Sequence, residues 1–365
     1  MSLRAIVIAA IVLVIVGWTV YATTRPDPVV EASSSWGESG HADRTSPAFT
    51  DWDDEEPPVI PPRCATCHSL NGFLDWLGED GTPAGAVEAP HPIGSVVSCL
   101  ACHNDSAHAL QVVAFPSGAE ASVLDAEGPC LKCHQGLQSG DSVERAIAGL
   151  DLDAVSEDLS FINVHYRVAA ATLMGGDGRG AYQYEGQTYV GRFLHVSDLR
   201  TCNQCHDPHS LLQNPRACSP CHLNVVDRSD FINIRQDGVD YDGNGSVDEG
   251  IALEILNMHQ QVYLGLQAYA REVIGTPIVY QAGTFPYFFV DTNDDGLPQA
   301  EETVFANQYG TWTPRAVRVA YNYHMVHEDP GMYAHNAWYT LQYLYDTLQD
   351  LNEVVPVPVD AMTRP

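Results

Sequence analysis

Apolar and polar positions divide the chain into distinct regimes. Residues Ala5 to Ala22 form an unbroken apolar run between Arg4 and Arg25–Pro26. At about 1.5 Å per residue the run spans about 27 Å as a helix, close to a bilayer core. Trp18 and Tyr21 stand where an interfacial aromatic belt would lie. A cleaved leader has a shorter apolar region of about 7–15 residues, so residues 1–25 read as a retained anchor. Val20-Tyr21-Ala22 is the cleavage site of the alternative, a signal segment. Residues 26–62 are polar, acidic and rich in proline and serine, a pattern that predicts an extended tether.

From 63 to 225 apolar segments are short and broken by glycine and proline. Phe73 to Leu77 and Val164 to Met174 have helical spacing, and Ala181 to Val190 alternates around Glu185-Gly186 as a β-hairpin would. The pattern changes over 226–355. Ile255, Met258, Val262, Leu266, Tyr269 and Val273 recur at helical spacing between Gly250 and Ile274. Thr276 to Val290 is rich in β-formers, and two further helices, Ala316 to Glu328 and Met332 to Leu351, are separated at Pro330-Gly331. Trp338, Leu341, Leu344, Tyr345 and Leu348 share one face of the last helix and read as core. Residues 356–365 form a tail. The predicted fold is mainly α, with much irregular loop and a few short β-hairpins.

Composition narrows the functional classes. A length of 365 residues suggests about two domains. A net charge of −30 removes the basic face that nucleic acid or an anionic membrane surface would require.

Cysteine carries the chemistry. All ten cysteines fall in one pattern, Cys-x-x-Cys-His. The motifs are Cys64–Cys67–His68, Cys99–Cys102–His103, Cys130–Cys133–His134, Cys202–Cys205–His206 and Cys218–Cys221–His222. A disulfide framework gives no reason for a histidine after every second cysteine. Zinc sites of four thiolates would use eight cysteines, strand one pair and leave the histidines unexplained. Two thiols three positions apart match the vinyl groups on one edge of a haem, and the next histidine supplies the proximal iron ligand. The sequence therefore predicts five covalent haems c as the core of the 63–225 region.

Ten histidines remain for five second axial positions: His41, His91, His108, His165, His195, His209, His259, His324, His327 and His335. His209, in Cys-His-Asp-Pro-His, lies three residues past a proximal ligand on a proline-stiffened link. His335 opens the last helix, while His165 and His195 lie in the long motif-free gap.

The chain resembles exported pentahaem members of the multihaem c-type cytochromes, some relatives of which polymerise into extracellular filaments. The resemblance runs through Ser-Gly-His-Ala-Asp at 39–43, Cys-His-Ser at 67–69, Asn-Val-His-Tyr-Arg-Val-Ala-Ala-Ala-Thr-Leu at 163–173, Cys-His-Asp-Pro-His-Ser-Leu at 205–211, Ala-Tyr-Asn-Tyr at 320–323 and Asp-Pro-Gly-Met-Tyr-Ala-His-Asn at 329–336. It implies His41, His165, His195, His209 and His335 as distal ligands, with His108 and His327 as substitutes. It also implies electron transfer outside the cytoplasm, to redox proteins or extracellular acceptors.

Two acidic loops suggest calcium. Asp291, Asn293, Asp295 and Glu302 occupy positions 1, 3, 5 and 12 of a twelve-residue calcium loop, with Gly296 at the turn. Asp240, Asp242, Asn244 and Asp248 form an imperfect copy in which Ile251 replaces the final acid. The residues before Asp291 read as a strand, so this is a structural loop packed in the C-terminal region rather than a helix–loop–helix sensor.

The leading function is an electron carrier with five six-coordinate haems and no catalytic residue. The alternative is a pentahaem reductase resembling nitrite reductase, with one open iron. Such enzymes often use a proximal lysine, but here every motif ends in histidine and the single lysine, Lys132, lies inside a motif. A calcium-stabilised surface protein with incidental haems fits least, because five cofactors are too many to be incidental.

Overall fold

A computed structural model of the chain describes residues 27–235 and 237–365. The expected N-terminal anchor or signal segment lies outside the described residues. Among those described, no helix is long and apolar enough to cross a membrane.

Two compact units emerge. Of the described residues, the first contains 27–73, 87–98 and 206–212. Helix α1, Pro28–Gly37, is capped by Asp27, whose side chain accepts from Val29 N at 2.9 Å. Trp36 at its end donates from Nε1 to Val97 O at 2.9 Å. Arg44 donates to Gly94 O at 2.6 Å, Phe49 is buried, and strand β1, Val59–Ile60, pairs antiparallel with β2, His91–Pro92. Helix α2, Pro62–His68, carries the first motif. The described part of the expected tether, 27–62, is therefore folded rather than extended. Its prolines explain the difference: Pro28, Pro47 and Pro62 sit in first helical turns, where a fixed φ and a missing N–H cost nothing.

The second unit contains residues 74–86, 99–205 and 213–365. Strands β3, Val112–Ala114, and β4, Glu120–Ser122, form a short antiparallel ladder beside helix α3, Gly128–Cys133, which carries the third motif. Helix α4 spans Ala169–Gly178. It starts later than the apolar pattern suggested, because His165 and Arg167 adopt left-handed backbone with φ of 86° and 55°. The C-terminal helices fall where the pattern put them: α5 at Ile251–Tyr269, α6 at Pro314–Glu328 and α7 at Met332–Asn352. Thr313 caps α6 by accepting from Ala316 N at 3.1 Å. Strands β5, Ile278–Tyr280, and β6, Phe288–Val290, pair in register with Val279 opposite Phe289.

Two apolar clusters lie in this unit, a small one around Val113, Phe115, Leu131 and Met174 and a larger one built on the C-terminal helices. Ile255, Met258, Val262 and Leu266 of α5 and Leu341, Leu344 and Leu348 of α7 are fully buried. Val143, Val164, Val168, Ala171 and Tyr182 belong to the same cluster. Aromatic and aliphatic side chains thus fill the core of this unit, and it crosses the domain boundary expected at 225. Residues of the segment 143–182 pack on the C-terminal helices.

The hairpin expected over Ala181–Val190 does not form a ladder. The Glu185-Gly186 turn is present, with Gly186 at φ 80° and Gln187 N donating to Tyr184 O. The flanking N–H groups go instead to side chains. Ala181 N donates to Tyr339 Oη at 3.1 Å, Tyr182 N to Asn322 Oδ1 at 2.8 Å, Tyr184 N to Tyr189 Oη at 2.9 Å and Val190 N to Gln342 Oε1 at 2.9 Å. These four donors are thereby withdrawn from any ladder.

Candidate haem-attachment and metal sites

The motifs share one local geometry. A spacing of three places both cysteines of a pair on one face of a helical turn. The first three pairs lie on α2, on the helix Cys99–Cys102 and on α3, and the fourth on the helix Cys202–Cys205. The fifth begins at the end of the helix Pro215–Cys218, and its histidine continues the turn, with His222 N donating to Cys218 O at 2.9 Å. His103 N and His134 N close the same turn on Cys99 O and Cys130 O, at 2.8 and 2.9 Å. None of the ten cysteines is joined in a disulfide.

Hydrogen bonds set the tautomer of several candidate ligands. His68 Nδ1 meets Ala48 O at 2.7 Å, His134 Nδ1 meets Arg167 O at 2.8 Å and His206 Nδ1 meets Leu211 O at 3.0 Å. A carbonyl only accepts, so the proton is on Nδ1 and the lone pair on Nε2. That is the tautomer in which Nε2 can bind a metal. His335 follows the same rule, with Nδ1 at 2.8 and 2.9 Å from the buried Asp329 carboxylate. Burial works against the Asp329 charge, but His335 outweighs it and holds the carboxyl below its usual range.

The other expected distal ligands occupy varied settings. His41 lies in the turn after α1, in the same unit as His68. His165 stands in left-handed backbone with its N–H donating to Asn163 Oδ1 at 2.8 Å and its ring against Tyr166. His209 sits in a turn organised by Asp207, which accepts from His209 N and Ser210 N. His195 and the motif histidine His222 are brought together, with centroids 6.0 Å apart and planes 27° apart.

The remaining histidines differ. His324 has both ring nitrogens engaged, Nδ1 with Tyr280 Oη at 2.8 Å and Nε2 with Asn163 Oδ1 at 3.0 Å. His259 stacks on Tyr323 at 4.1 Å. Burial pushes both down to about 3, so both are neutral. His108 is exposed, and His91 lies on β2.

In the second unit the motifs approach one another in sequence order. The Cys102 thiol is pushed up to about 11 by burial, by nearby Cys130 and by Cys99. Cys130 and Cys202 are close enough to hydrogen-bond, which lowers the first and raises the second. Burial and nearby Cys218 raise Cys205. An open, mostly apolar cleft of about 390 Å³ adjoins the second motif, lined by Trp76, Leu77, Ala109, Leu110 and Val112. Lys132 lies over the Trp76 ring at 4.7 Å.

The acidic loops fold inward. Asp291 and Glu302 are buried; Asp291 Oδ2 accepts from Gly296 N at 2.8 Å and Glu302 Oε1 from Thr292 N at 2.7 Å. Asn293 Oδ1 and Asp295 Oδ1 accept from Asp295 N and Leu297 N. In the other loop the carboxylates that converge within 4.8 Å are Asp240, Asp242 and Glu254. Asn244 bridges Asp242 and Glu249, whereas Asp248 is exposed. Glu254, in the first turn of α5, was not singled out because it falls beyond the twelfth position of the loop. Glu127 and Asp329 were missed too. A single acid several residues before a motif or a ligand carries no spacing rule.

Five Cys-x-x-Cys-His turns, three of them with the histidine held by a carbonyl at Nδ1, are the pattern of the multihaem c-type cytochromes. Comparison with known proteins agrees, and the chain is homologous to polyhaem c-type cytochromes. It is 24% identical over 388 residues to the C-type polyheme cytochrome OmcC of Geobacter sulfurreducens (strain ATCC 51573 / DSM 12127 / PCA), covering 88% of this chain and 47% of that protein. It is 25% identical over 260 residues to the C-type polyheme cytochrome OmcB of Geobacter sulfurreducens (strain DL-1 / KN400), covering 64% of this chain and 32% of that protein. The chain therefore spans less than half the length of these relatives. No protein-family model and no solved structure matches it.

Proposed function

We propose that the chain binds five haems c at its five motifs and carries electrons outside the cytoplasm, every iron held by two histidines. The observation that carries this reading is the exclusive use of all ten cysteines in Cys-x-x-Cys-His turns. Bound haem supplies a one-electron iron couple with a potential set by its axial ligands, burial and nearby charge. The chain supplies the remainder. Cysteine pairs fix each ring edge, and carbonyls of Ala48, Arg167 and Leu211 orient motif histidines. Asp329 does the same for His335 and makes that imidazole more basic.

Support for two-histidine ligation comes from His195 and His222. Metal–imidazole bonds of about 2 Å on opposite sides of one iron place two ring centroids roughly 6 Å apart. The 6.0 Å separation fits that requirement. His41, His165, His209 and His335 are assigned to the other distal positions. Calcium is assigned to the Asp291 loop through Asp291, Asn293, Asp295 and Glu302. A second ion is assigned to the other loop, where Glu254 replaces Asp248 beside Asp240, Asp242 and Asn244. Partners are redox proteins or extracellular acceptors, and the apolar run at 5–22 serves as the membrane attachment.

Mass spectrometry of the exported chain, with carbon monoxide binding to the reduced protein, tests the reading. It predicts a mass increment of five haems and no carbon monoxide adduct. One reactive iron among five would favour the reductase alternative, and a haem-free chain would exclude both.

A further inference from the structure

Glu127 is completely buried and held on both oxygens. Oε1 accepts from Arg192 Nη2 at 2.5 Å and from Leu124 N at 3.0 Å, while Oε2 faces Cys202 Sγ at 3.7 Å. The residue caps α3 three positions before Cys130, whose thiol adjoins that of Cys202. Arg192 is anchored in turn, its Nη1 donating to Ser122 O and its backbone N to Asp177 Oδ2, each at 2.8 Å. One ion pair thus stands where the third and fourth motifs meet. Buried ion pairs add little net stability compared with apolar packing, so stability alone is a weak reason for this one.

We propose that Glu127 sets the potentials of the two haems that would attach at Cys130–Cys133 and Cys202–Cys205, with Arg192 orienting its carboxylate toward the Cys202 sulfur. This rests on haem attachment at those motifs, as proposed above. Ferric haem carries one more positive charge than ferrous haem. A buried anion beside an attachment sulfur would therefore favour the ferric state, and the low local dielectric magnifies the effect. Arg192 binds the other carboxylate oxygen, so the negative end of the pair faces the sulfurs. Glu127 touches neither iron nor substrate and acts as a positioning and tuning residue.

The test uses the haem-loaded full chain. Glu127→Gln keeps the shape and an acceptor for Arg192 but removes the charge. Spectroelectrochemical titration is expected to show two midpoints rising. At fixed applied potential the ferrous-to-ferric ratio of those haems increases at least tenfold, which is 59 mV for a one-electron couple. Arg192→Gln leaves the carboxylate uncompensated and moves the same two midpoints down. Glu185→Gln, at an exposed turn, leaves the curve in place. Because the two informative variants act in opposite directions, either one decides the matter if the other matures poorly. Curves that superimpose at equal haem content would overturn the proposal while leaving the haem assignment intact. A wild-type chain without haem would overturn that assignment, and the proposal with it.

Discussion

At the scale of single residues, the histidines divide by what their nitrogens do. A motif histidine that donates from Nδ1 to a carbonyl, as His134 does to Arg167 O, presents Nε2 as the basic nitrogen. His324 spends both nitrogens on Tyr280 and Asn163. Replacing His195 by Ala should therefore convert one haem in five to a high-spin, carbon monoxide-reactive form. His324→Gln should leave the spin state unchanged, as read by absorbance and EPR. The neutral pair His259 and His324 makes a separate prediction. Both fall from 6.5 in the unfolded chain to about 3 in the fold, so the unfolded state binds more protons between those values. Stability is fully present above pH 6.5 and is lost as pH falls toward 3, each group adding about 1.4 kcal/mol of slope per pH unit. Urea unfolding from about pH 7 to about pH 4 should show a shallower loss in the His259→Gln, His324→Gln variant than in wild type. The Cys-x-x-Cys-His motifs stand out in the sequence because thioether attachment would dictate their spacing. Glu127 and Asp329 were not, since burial and a partner distant in sequence make them matter.

At the scale of elements, long helices were legible and irregular segments were not. Helix α5 buries an apolar face, α6 is buried on every side from Pro314 to Val326, and the break at Pro330-Gly331 is a local backbone rule. The segment 181–190 has the alternation of a hairpin, yet buried tyrosine, asparagine and glutamine side chains capture its backbone donors. The prolines of 26–62 could be read as linker or as helix starts, and distant contacts such as Trp36 to Val97 O accompany the second outcome. Within α4, Gly175 adopts φ 54°, and a Cβ there would lie 2.5 Å from Val190 O and 2.7 Å from Asn336 Nδ2. Gly175→Ala should destabilise the protein by more than about 1 kcal/mol, measured by chemical unfolding. The Asp291 loop should couple calcium to stability. Calcium at about a hundred times its Kd should add about 2.7 kcal/mol. Chelation should lower the melting temperature without altering the haem spectrum, and Asp291→Asn should abolish the calcium effect.

At the scale of the whole molecule, charge and cofactors belong together. The net charge of −30 omits the haem propionates, about two per haem. A strongly acidic surround favours ferric iron and lowers potentials. Eight of the ten cysteines fall in one unit, where those of successive motifs adjoin in chain order, and the first motif falls in the other together with His206. The apolar core of the second unit was predictable as helix packing, but not its reach back to Val143, because pairing between distant segments leaves no periodic mark on either. The central claim is five six-coordinate haems in a carrier. It is tested most directly by EPR of the fully oxidised protein, integrated against haem content. The account predicts that low-spin ferric signals account for all five haems, with no high-spin component. A high-spin signal worth one haem would contradict it.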